Sequence, residues 1–93
     1  MTEEKIIDDI LDEFDFDKVQ KTMETLEWTW HSTYPETPSI SQLRKFARYL
    51  MKSCVGHEEY TTASGGFHVR KETFDGLPFY QLQFVVTEWS NYE

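Results

Sequence analysis

Arg44, Lys45, Arg48 and Lys52 put four cations into a stretch, residues 37–57, that contains no acid. On a helix Arg44 and Arg48 stand one turn apart on the same face. Guanidinium groups so placed can grip phosphate oxygens. A second set of anion donors would come from Gly65 and Gly66, whose backbone amides lie near His68 and Arg70 in sequence. With Trp28, Trp30 or Tyr60 stacked on a base, these groups would make a site for a nucleotide or a cyclic oligonucleotide. Each set also has a plainer use. The basic stripe can form salt bridges with acidic helices of the same chain. The glycine pair lacks the spacing of a phosphate-binding loop and suits a turn between strands.

The acids offer two further chemistries. Asp8, Asp9, Asp12, Glu13, Asp15 and Asp17 have the density of a calcium loop, but the run has no glycine at the central bend and no bidentate glutamate at its twelfth position. Carboxylates on one helix face can also stand in for nucleic-acid phosphates in a partner's basic groove, or be solvated surface. For metal, Cys54 and His57 make half a site, and His31 or His68 would have to converge on them from a distance. No nucleophile motif is present, and Cys54 belongs to an apolar helix face where burial raises a thiol's pKa. No enzyme, cofactor or metal is expected.

Charge distribution sets the background. Residues 1–36 carry eleven acids and three bases, residues 37–57 four bases, and residues 58–93 six acids and two bases, for a formal charge of −8. Such a protein repels DNA and anionic membrane. One cysteine excludes an internal disulfide and suits a reducing cytoplasm. The acidic start lacks the basic region of a signal peptide, and no apolar run approaches the roughly 20 residues of a membrane span.

At 93 residues the chain is expected to form one domain, residues 1–93, with a thin core helped by 15 aromatics. Ile6, Ile7, Ile10, Leu11 and Phe14 predict a helix over about 3–13. Asp15 can cap a second helix with the stripe Phe16, Val19, Met23 and Leu26. At Trp28 and Trp30 the period becomes two, which predicts a short strand whose tryptophans share one face. Ser39 with Gln42 forms a capping-box pattern ahead of a third helix. Its expected buried face is Ile40, Leu43, Ala47, Leu50, Met51 and Cys54, with Gly56 as its stop. Gly65-Gly66 and Asp75-Gly76 then divide an antiparallel meander, in which Tyr80, Leu82, Phe84 and Val86 form the apolar side of the last strand. The fold class is α+β, with one layer of helices on a sheet.

Glu13-Phe14-Asp15-Phe16, Lys18-Val19, Met23, Leu26, Trp28-Thr29-Trp30, Pro38, Leu43, Ala47, Gly65-Gly66-Phe67, Phe84-Val85 and Glu88-Trp89 together resemble a group of short accessory proteins encoded by phages and prophages. The resemblance covers about residues 13–89 and carries no catalytic or ligand residue across. It implies a product that works in the host cytoplasm by binding and inhibiting a host protein. A defence factor, of the CRISPR or restriction kind, or a nucleic-acid-processing factor would be the target. Asp8, Asp9, Asp12 and Glu13, or the aromatics Trp28, Trp30 and Tyr60, would supply the partner surface. Sequestration of a nucleotide signal through Arg44, Lys45, Arg48, Lys52, Gly65, Gly66 and Arg70 is the alternative. A structural or homo-oligomeric role is a third.

Overall fold

Side-chain caps divide the first half of the chain into helices. In the computed structural model, which describes residues 2–26 and 37–85, α1 spans Glu3–Glu13, α2 spans Phe16–Thr25 and α3 spans Ile40–Lys52. The Thr2 hydroxyl accepts from the Lys5 amide at 3.2 Å, and the Asp15 carboxylate accepts from the Lys18 amide at 3.0 Å. Phe14, extended at φ −75° and ψ 138°, ends α1 one residue before Asp15 starts α2. At α3 the capping box is complete: the Ser39 hydroxyl accepts from the Gln42 amide, and the Gln42 side chain accepts from the Ser39 amide. Caps of this kind satisfy amides that the helix itself leaves open.

Two predicted core positions fall outside the core. Leu26 is 49% exposed and Ile40 38% exposed. Both stand at helix ends: Leu26 is the C-cap of α2 and Ile40 the first residue of α3, so each projects past the packed turns. The other stripe positions Ile7, Leu11, Phe16, Val19, Met23, Leu43, Ala47, Leu50 and Met51 are buried, as is Cys54 just past the end of α3. α3 ends at Lys52 with Ser53 as its C-cap, so Gly56, expected as the stop, takes its φ of +90° in the turn three residues beyond the cap. The predicted strand at Trp28 and Trp30, and Val86, lie outside the described residues.

Three antiparallel strands follow, β1 Tyr60–Ser64, β2 Phe67–Phe74 and β3 Leu77–Phe84, in the order β1-β2-β3. Each hairpin turns on two residues with positive φ: Gly65 and Gly66 at 58° and 90°, Asp75 and Gly76 at 52° and 78°. Right-handed strand twist favours such turns, and Asp-Gly and Gly-Gly adopt them at low cost. A Cβ on Gly76 would meet nothing within 4 Å, so dihedral angle rather than space selects glycine there.

Register then sorts the side chains. Phe67, Val69 and Lys71 pair with Phe84, Leu82 and Tyr80 on the helix-facing side. Phe67 is the hub of the core: its ring lies 5.1–6.3 Å from those of Phe14, Phe16, Phe46 and Phe84. The opposite face carries His68, Arg70, Glu72 and Phe74 from β2 and Leu77, Phe79, Gln81 and Gln83 from β3.

Candidate functional sites

The basic stripe of α3 is answered by α1. Lys52 pairs with Glu4 at 3.0 Å, Arg48 with Asp8 at 3.0 Å and Arg44 with Asp12 at 2.7 Å. Acids at four-residue intervals on α1 meet bases at four-residue intervals on α3 as the helices run antiparallel, so each rung advances one turn on both. Three of the four stripe residues are thereby committed to intrachain carboxylates. Lys45, on the same helix, is exposed and makes no ion pair among the described residues.

The ladder also takes up much of the acidic surface. Asp8 and Asp12 are paired with α3 and Asp9 with Lys5. Glu13 is exposed. Asp8 Oδ1 has no contact with solvent and no well-aligned hydrogen bond, although Arg48 Nη1 is 3.0 Å away. That rung is therefore the least hydrated of the three. The Glu4 carboxyl is held below its ordinary pKa, chiefly by the hydrogen bond from Lys52.

Among the described residues the second anion set is divided between the β1–β2 turn and the outer sheet face. Gly65 and Gly66 form the β1–β2 turn, and the Gly66 carbonyl accepts from the Val85 amide at 2.9 Å. Arg70 lies on the outer sheet face in an ion pair with Glu72. Tyr60 is half-buried on the helix-facing side, its hydroxyl accepting from Ser53 and its ring 5.2 Å from that of His57. Trp28 and Trp30 lie outside the described residues. Among the described residues no group of three or more His, Cys, Asp or Glu is placed to hold a metal. Cys54 is fully buried, its thiol pushed up in pKa by that burial, while His57 is exposed.

Two features escaped the sequence analysis. The first is a charged cluster inside the helix–sheet interface. Lys71 is 3% exposed, and its Nζ donates to Glu3 Oε2 at 3.1 Å and to the Cys54 carbonyl at 3.2 Å. Its ammonium also lies 5.8 Å from the centre of the Tyr80 ring. The Tyr80 hydroxyl donates to the same Glu3 oxygen at 2.5 Å. The Glu3 carboxyl is lowered in pKa, chiefly by Tyr80, with Lys71 adding to the effect and partial burial opposing it. The Tyr80 phenol is raised, first by burial and then by Glu3. Alternation from Phe67 and Val69 gave the signal for Lys71: position 71 falls on the core side of β2 whatever residue occupies it.

The second feature is apolar. Phe74, Leu77 and Phe79 are 58%, 71% and 51% exposed at the β2–β3 hairpin, and the two phenylalanine rings meet edge to face at 6.5 Å. Parity again carries the signal. If Tyr80, Leu82 and Phe84 face the core, Leu77 and Phe79 must face away, beside Phe74 across the turn. A groove of about 530 Å³ between α2 and β3 is lined by Phe14, Val19, Leu82 and Phe84 together with the polar Asp15, Lys18, Thr22 and Gln83. Comparison with known proteins finds no matching family model, no matching curated protein and no matching solved structure.

Proposed function

We propose that this chain is a non-enzymatic accessory protein of phage type that acts stoichiometrically in the host cytoplasm, binding a host protein and inhibiting it. The target is a defence or nucleic-acid-processing factor. The observation that supports this reading best is the Phe74, Leu77 and Phe79 cluster, exposed on the sheet face away from the helices. With roughly 200 Å² for a whole aromatic side chain, the three residues present on the order of 300 Å² of surface. That is the size of the largest apolar patch on a typical monomer, which is often functional.

Nucleotide sequestration draws less support. Arg44, Arg48 and Lys52 are each engaged by a carboxylate, and a phosphate would have to displace those partners. The test is affinity capture of the tagged full chain from infected host cells, followed by an activity assay on the captured protein. A host protein recovered at a fixed stoichiometry and losing activity as the chain is titrated in is the expected result. Recovery of none at mild salt would overturn the proposal.

A further inference from the structure

The hairpin patch has an acidic frame. Asp75 sits in the turn between Phe74 and Leu77, and Glu72 is the direct cross-strand partner of Phe79. Glu58 and Glu59 lead into β1 beside β2, where the Thr73 hydroxyl donates to the Glu58 carbonyl at 3.1 Å. Glu58, Glu59 and Asp75 make no ion pair among the described residues. Arg70 is paired with Glu72, and Lys71 is buried on the other face. The frame is therefore anionic, and its two nearest cations are already spent.

We infer that this patch docks on a basic protein surface, an apolar depression ringed by lysine or arginine. This rests on the protein-binding reading above and names the partner's chemistry. Charge complementarity selects the occupant. Two copies meeting through this patch would bring like-charged frames together, within chains that each carry −8. An anionic lipid surface is repelled by the same carboxylates. A cationic rim gains from them twice, through faster encounter and through rejection of other partners. The phenylalanines and leucine supply the desolvated centre, where binding energy concentrates. The Phe74 and Phe79 rings already meet edge to face on the hairpin, which reduces the ordering cost of docking.

The probe is an 18-residue amphipathic helical peptide of leucine and lysine, titrated into the isotopically labelled full chain while backbone amide shifts are followed. Two control peptides replace every leucine with serine or every lysine with glutamate. Shifts confined to residues 58–59 and 72–79 with the leucine–lysine peptide, and binding at least tenfold weaker or absent with both controls, are expected. The triple variant F74S/L77S/F79S should weaken binding by about tenfold or more. E58Q/E59Q/D75N should weaken it about three- to tenfold and flatten its salt dependence. Shifts centred on Asp9 and Glu13, equal binding of the serine peptide, or self-association lost in the triple variant would each overturn the inference. So would a large drop in melting temperature in the triple variant, since the patch would then be covered within the chain itself. In host-cell capture, a partner retained by the triple variant sinks this surface and leaves the binding function standing. Peptide binding without any captured host protein does the reverse.

Discussion

Glu3 and Glu4 are adjacent in sequence and take part in two different kinds of electrostatics. Glu4 starts the ladder from α1 to α3, in which every side chain is more than a third exposed. Glu3 turns the other way, to Lys71 and Tyr80 at the sheet, where Lys71 is almost wholly removed from water. Both regions join α1 to another element with carboxylate and cation at about 3 Å. They differ in what replaces them when they break. Ladder side chains other than the shielded Asp8 oxygen are open to hydration when a partner is lost, and water screens the pairs while they last. Lys71 has no such recourse: its ammonium must find oxygen within the protein or remain unsatisfied. Three rungs in the ladder thus weigh less than one cluster at the sheet.

The largest break in this comparison is at Lys71. Lys71→Ala removes the donor to Glu3 and to the Cys54 carbonyl and leaves a gap where the aliphatic stem packed. The expected loss is about 2–4 kcal/mol. Lys71→Met keeps most of the stem and lets the partly exposed Glu3 turn to water, so it should cost about half as much. Denaturant midpoints, with unchanged slopes, give both values. Equal losses for Ala and Met would mean that the charge rather than the packing dominates. No loss for either would put the cluster on a par with the ladder.

Glu3→Gln comes next, because it leaves the ammonium in place and removes its counter-ion. A loss of about 1–3 kcal/mol is expected at neutral pH. The pH dependence separates this from a packing effect. The Glu3 carboxyl has a folded pKa below its ordinary 4.5. Its contribution is therefore complete above that ordinary value and is lost as pH falls through the lowered folded value. Acid unfolding should be shallower in E3Q than in the parent below about pH 4.5. Identical acid limbs would remove Glu3 from the account.

The contrast between the two regions also explains what was legible in the sequence. Thr2, Asp15 and Ser39 cap helices through residues three positions away, and Gly65-Gly66 and Asp75-Gly76 shape turns through their own dihedrals, so each is written locally. The fold class and nearly all element boundaries follow from such local rules and from periodicity. Partnership is not local. Arg44, Arg48 and Lys52 would have matched acids on α2 or an external phosphate as well as those on α1, because four-residue spacing is common to every helix face. Only the antiparallel packing of α1 on α3 decides. Lys71 and the Phe74, Leu77 and Phe79 patch were within reach of strand parity. Residue type pulled the other way, since a lysine suggests solvent and a phenylalanine suggests core, and tertiary placement overrode both.

Smaller effects belong to the ladder, and they sharpen the comparison by ranking its rungs. Asp8–Arg48 should be the strongest, because one Asp8 oxygen is shut off from solvent. A double-mutant cycle with Asp8→Ala and Arg48→Ala should give a coupling of about 0.5–1 kcal/mol, Asp12–Arg44 less than about 0.5 kcal/mol, and Glu4–Lys52 a smaller coupling than Asp8–Arg48. In 1 M salt the two outer couplings should vanish and the Asp8 coupling should persist in part. Lys45→Ala is the reference at the bottom of the scale. It carries the same charge on the same helix but has no carboxylate partner among the described residues, so its effect on stability should stay within about 0.5 kcal/mol. If Lys45→Ala costs as much as Arg48→Ala, then the ladder acts through the summed field of α3 on α1, and the individual rungs have no separate weight.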